Sequence, residues 1–152
     1  MRVADLTENL IKDRASLGLL IIRILIGLSM VLFHGYGKLA GGPEFWERVG
    51  GSMGNFGISF VPIFWGFMAM SAEFFASIAL ILGVAFKPAA AILVVNMLVA
   101  ATHHLVMPEG SQGAGLKGAS HALEFLAIYL GLFFTGPGKY RLAWLWSRGE
   151  RI

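Results

Sequence analysis

Histidines, carboxylates and a lysine set in otherwise apolar runs are the residues of this sequence best suited to chemistry. His34 and Lys38 lie one helical turn apart in "VLFHGYGKLAGG", residues 31–42. Arg23 precedes them, and Glu73, Asn96, His103, His104, His121 and Glu124 follow. Histidine titrates near neutral pH and can exchange protons with a carboxylate. A lysine supplies positive charge to a developing anionic oxygen. Such groups together could hydrogen-bond and protonate the oxygens of a small molecule. His121 and Glu124 form His-x-x-Glu, a spacing that can bind a metal, but no partner ligand is evident and no metal site is expected.

The elements that must position these groups are membrane helices. Of 152 residues, 57% are hydrophobic and 14% charged, against about 45–50% and about 25% in soluble domains. So small a soluble domain could not hide that much apolar surface. A membrane helix needs about 20 mainly apolar residues. The stretches 17–38, 60–83, 88–106 and 119–136 qualify, separated by "LAGGPEFW", "GVAFKP" and "MPEGSQGAGLKG" and closed by "TGPGKY"; glycine and proline punctuate helices in this way. The expectation is an all-α, integral membrane four-helix bundle forming a single domain over residues 1–152.

Basic residues set the orientation. Arg2, Lys12, Arg14, Lys87, Lys139, Arg141, Arg148 and Arg151 fall on one side, and only Lys38, Arg48 and Lys117 on the other. The positive-inside rule then places both termini in the cytoplasm of a plasma (inner) membrane protein. The net charge of +3 belongs to this topology and does not indicate nucleic acid, since no central basic patch exists. No cleavage site follows the first apolar run, so it is expected to persist as a helix. The absence of cysteine removes thiol chemistry and Fe–S ligation.

Charged groups inside a bilayer cost at least about 2.5–3.5 kcal/mol each and therefore face the bundle interior with partners. On span one, Arg23, Gly27, Met30, His34 and Lys38 form one stripe at helical spacing. Gly66, Ala69, Glu73 and Ala76 do so on span two, Asn96, Ala100 and His103 on span three, and His121, Glu124, Ile128, Gly131 and Thr135 on span four. At 1.5 Å rise per residue, His103 and His121 fall about 22 Å from the cytoplasmic end and His34 about 25 Å, with Glu124 at about 18 Å, Glu73 at about 15 Å and Arg23 at about 9 Å. The expected site is a pocket in the outer leaflet, with His34, His103 and Glu124 as its chemical groups and Arg23, Lys38, Glu73, Asn96 and His121 as ligand-binding residues. Simpler roles stand beside these. Lys38 could snorkel to headgroups, Arg23 and Glu73 could form a structural ion pair, and Asn96 could hydrogen-bond between helices. His104 points off the stripe and reads as interfacial. The aromatics of "FWERVGG" and "YRLAWLW" read as interfacial belts. A short echo, Glu-Phe-x-Ala at 73–76 and Glu-Phe-Leu-Ala at 124–127, hints at a duplicated helical hairpin.

The first-span arginine followed by "FHGYGKLAGG", the stretch "AEFFASIALILGVAFKPAA", the histidine ending span three, the carboxylate of span four and "GPGKY" resemble, in order and spacing, the DoxX family of small four-helix membrane proteins. The resemblance covers residues 17–142 and carries over Arg23, His34, Lys38, Glu73, His103 and Glu124. After the Gly-Pro-Gly-x-Tyr turn the family usually has Ser-Leu-Asp, whereas this chain has Arg141, Leu142 and Ala143. The resemblance implies a membrane subunit associated with redox enzymes, some quinone-linked, with partner redox subunits.

The leading expectation is a membrane subunit of a redox system that binds a quinone or similar small molecule. Haem held by two of the histidines is a variant of it. The alternatives are a small-molecule carrier or proton-coupled transporter, which with only four helices would require a homo-oligomer, and a structural or assembly subunit.

Overall fold

The computed structural model describes residues 3–142, with side chains from Ile11 onward. The fold is all-α. Helix α1 (Val3–Met30) runs into a π-helical turn, Val31–Gly35, and on into α2 (Tyr36–Gly50). A 3-10 segment, Gly51–Phe56, comes next. Helix α3 (Pro62–Ser71) passes through a second π-turn, Ala72–Ala76, into α4 (Ser77–Leu82). Helices α5 (Phe86–Val106) and α6 (Gly115–Thr135) complete the chain. Four helical stretches are long and apolar enough to cross a bilayer: Ile11–Phe56, Pro62–Leu82, Phe86–Val106 and Gly115–Thr135.

The stretch "LAGGPEFW", read from sequence as a break, is mostly helical. Gly42 has φ 63° and bends α2 there, a conformation glycine adopts without steric cost. Pro43 then starts a fresh helical piece, its missing N–H falling where a helix needs none. That piece folds back onto α3 so tightly that a Cβ on Gly66 would lie 1.8 Å from the Trp46 carbonyl oxygen. The connection is thus a packed helical hairpin rather than a loose loop. Residues 43–61 and 107–114 make up one end of the bundle, its loop side. The turn at 83–85 and residues 136–142 make up the other, its termini side.

Helices α5 and α6 pair through small buried residues, Ala101, Ala119 and Ala122, which let their backbones approach. Met30, Leu80, Leu93, Met97, Phe125 and Tyr129 fill the interior. Large apolar side chains such as Phe33, Leu25, Val95 and Phe134 point outward, as expected where the solvent is lipid. The chain is a multi-pass membrane protein.

Arg23 locks the termini side. It is 1% exposed, and its guanidinium donates to the carbonyls of Leu80 (3.0 Å), Ile81 (2.7 Å), Tyr140 (2.9 Å) and Pro137. The first two belong to the last turn of α4, where the Leu80 carbonyl also accepts from the Gly83 N–H at 3.2 Å and the helix dipole favours a cation. The other two belong to the Gly-Pro-Gly-Lys-Tyr turn after α6. Gly83 makes room: a Cβ there would lie 2.9 Å from Arg23 Nη2 and 2.7 Å from Arg141 Cβ. The expected ion pair between Arg23 and Glu73 is therefore corrected. Arg23 bonds main-chain carbonyls, and Glu73 has a different cation.

The aromatic belt assigned to "YRLAWLW" falls largely on residues 143–146, outside the described residues, as do Arg2, Arg148 and Arg151 of the charge argument.

Candidate functional site

Glu73 sits in the middle of the bundle, 4% exposed. Lys38 Nζ forms an ion pair with its Oε2, and Asn96 Nδ2 donates to its Oε1 at 2.9 Å. One carboxylate from span two is thus held by a cation from span one and an amide from span three. Removing a carboxylate from water costs several kcal/mol unless it is paired and its lone pairs are satisfied. Here both oxygens have donors. Trp46 Nε1 donates to the Lys38 carbonyl at 2.7 Å, tying the folded-back helix to the same point.

The two π-turns create this arrangement. Each inserts one residue into a helical turn and so rotates the downstream side chains by about 100°. Val31–Gly35 carries His34 and Ala72–Ala76 carries Glu73. The turns press together where Gly35, having no side chain, rests on the Glu73–Phe74 peptide. Ser77, on α4, and Tyr129, on α6, carry hydroxyls near each other, and Tyr129 lies within electrostatic range of Glu73. Both are buried without a partner in hydrogen-bonding geometry among the described residues.

Span four contributes His121. Its Nε2 lies 3.0 Å from His34 Nε2, with ring centroids 5.0 Å apart and Phe125 packed edge-on against both rings. One ring must donate and the other accept, so at least one is neutral. His34 also interacts electrostatically with Glu73 and Lys38. No group of three or more His, Asp or Glu residues with metal-binding geometry occurs among the described residues.

His34, Lys38, Glu73, Asn96 and His121 are thus brought together, while the other sequence-derived candidates lie elsewhere. His103, at the loop end of α5, accepts from Asn55 Nδ2 at 3.2 Å and anchors the 3-10 segment. His104 Nδ1 donates to the Gly113 carbonyl at 2.9 Å. Glu124 is exposed on α6 and has no hydrogen bond or ion pair with the described residues. Its partner in the internal echo, Glu73, is buried in a π-turn, so the two echo positions occupy unlike environments. Arg23 belongs to the clamp at the other end. Residues that sequence reasoning missed are Ser77, Tyr129 and Trp46, whose types are ordinary in membrane helices, and Asn55, which lies between spans.

A four-span helical membrane protein with a buried Lys–Glu–Asn centre is the class these observations define. The DoxX family model matches residues 18–106, and the chain belongs to the DoxX family. That match takes in Arg23, His34, Lys38, Glu73, Asn96 and His103 and ends before His121 and Glu124. No curated protein and no solved structure matches the chain.

Proposed function

We propose that this chain is the plasma-membrane subunit of a redox system, with both termini cytoplasmic, and that it binds a quinone or similar small molecule at the Lys38–Glu73–Asn96 centre in the outer half of the bilayer. The observation that carries the reading is the convergence of three spans on one buried carboxylate beside a hydrogen-bonded histidine pair. A bundle needing only register would not require a charge at this depth, where each costs at least about 2.5–3.5 kcal/mol.

A bound quinone would supply two-electron, two-proton redox chemistry. The chain's own groups handle the protons and the charge. Glu73 holds or releases a proton at its carboxyl oxygens, Lys38 offsets the negative charge there, and Asn96 fixes the orientation of Oε1. His34 and His121 relay protons between Glu73 and the exposed side of His121. With no cysteine in the chain, electrons come from a partner subunit or the quinone pool.

Native mass spectrometry of gently solubilised protein tests this. Wild type should retain a quinone-sized ligand, and the double variant Lys38→Met with Glu73→Gln, which keeps the volume without the charges, should lose it. Wild type free of any such adduct would overturn the reading.

A further inference from the structure

A cavity of about 510 Å³ lies between the folded-back segment, α3 and α5, walled by Met53, Trp65, Met68, Ala91, Val95 and Asn96 among others. Its volume is within the about 300–1,000 Å³ usual for small-ligand pockets. The wall is apolar, with an indole and two thioethers suited to a ring. Two of its lining residues, Val95 on α5 (60% exposed) and Met68 on α3 (42% exposed), also reach the lipid-facing surface.

The polar groups of the wall narrow the ligand further. Ser52 Oγ donates to the Val49 carbonyl and Trp65 Nε1 to the Phe60 carbonyl. Asn96 must present its N–H to Glu73, because a carboxylate only accepts. Its Oδ1 then has no donor among the described residues, yet it is not a buried, unsatisfied atom. An acceptor thus stands in an otherwise apolar wall, on the same side chain whose N–H bonds Glu73.

We infer that this cavity binds the ring of a hydroxyl-bearing aromatic or quinol, its O–H donating to Asn96 Oδ1. The inference rests on the quinone reading above and locates the reduced, quinol form of that ligand, since a quinone carbonyl has no proton to donate to an amide oxygen. The amide couples the two sites, since its N–H grips the carboxylate while its carbonyl grips the ligand. A plain acyl chain would fill the apolar space but leave Oδ1 without a donor.

Calorimetric titration of the detergent-solubilised full chain with 1-naphthol and 1-methylnaphthalene tests it. Wild type should bind naphthol about three- to tenfold more tightly, the worth of one hydrogen bond, and Asn96→Leu should erase that preference. Ala91→Phe, filling the cavity, and Val95→Trp, enlarging a lining residue at an exposed position, should each weaken naphthol binding about tenfold or more. Val95→Trp serves if Ala91→Phe does not fold. Equal binding of naphthol by wild type and Val95→Trp overturns the site. If menadione also binds both equally and loses affinity in His34→Ala, the ligand sits at the histidine pair, and the quinone reading survives without this cavity. Absence of saturable binding of either naphthol or menadione to wild type overturns both.

Discussion

Gly35 rests on the backbone of Glu73: a Cβ on Gly35 would lie 2.9 Å from the Glu73 carbonyl carbon and 2.9 Å from the Phe74 nitrogen. The obstacle is main chain, which cannot swing aside as a side chain can. Gly35→Ala should force the two π-turns apart and cost about 1–3 kcal/mol, read as a lower melting temperature in detergent. Gly37, two residues on, has open space around its would-be Cβ. Gly37→Ala should be neutral or slightly stabilising, since alanine is the better helix former. Equal melting of the two variants would contradict the close packing of the π-turns.

Arg23 and Glu73 should behave as independent residues. Arg23→Leu removes the side-chain donor from four carbonyls, of which Leu80 keeps a main-chain donor, the Gly83 N–H, and should cost about 3 kcal/mol or more. Adding Glu73→Gln should give the sum of the two single effects within about 0.5 kcal/mol. Lys38→Met and Glu73→Gln should instead couple by about 1–3 kcal/mol, because either change alone strands a buried charge. Melting curves of both double-mutant cycles decide it, and coupling between Arg23 and Glu73 would contradict the assignment.

These two residues also show where the sequence was legible. Four membrane-spanning helical stretches and the inward placing of Arg23 and Glu73 followed from apolar run length and periodicity, whereas the first break is mostly helical and Glu124 is exposed. Depth arithmetic separated Lys38 from Glu73 by about 16 Å at 1.5 Å per residue, yet they form an ion pair. The long lysine side chain reaches along its helix, and two π-turns alter the register that the arithmetic assumed constant. Arg23 was matched to a carboxylate because side-chain patterns do not reveal free carbonyls at a helix end. His103 shares the depth of His34, but Asn55, on a segment that periodicity read as a loop, folds over to claim it.

The histidine pair should act as a unit. Proton uptake that accompanies chemical reduction of bound menadione should slow about tenfold or more in His34→Ala or His121→Ala. The double variant should be no slower than the slower single one. His104→Ala, whose ring bonds only the Gly113 carbonyl, should match wild type. Additive slowing in the double variant would show that the rings do not form one relay.

Orientation has its own test. Reporter fusions at residues 52 and 112 should lie outside, and a fusion at residue 86 inside, given the excess of Lys and Arg on the termini side. An inside signal at residue 52 would place the centre in the opposite leaflet.

The role of Glu73 as the proton-exchanging group beside a bound quinone is tested most directly by redox-induced infrared difference spectroscopy of the wild-type chain loaded with menadione. The expected result is a carboxyl C=O stretching band that appears or shifts on reduction, moves in deuterated water and is absent from Glu73→Gln. A difference spectrum with no carboxyl band, or one that persists unchanged in Glu73→Gln, would contradict it.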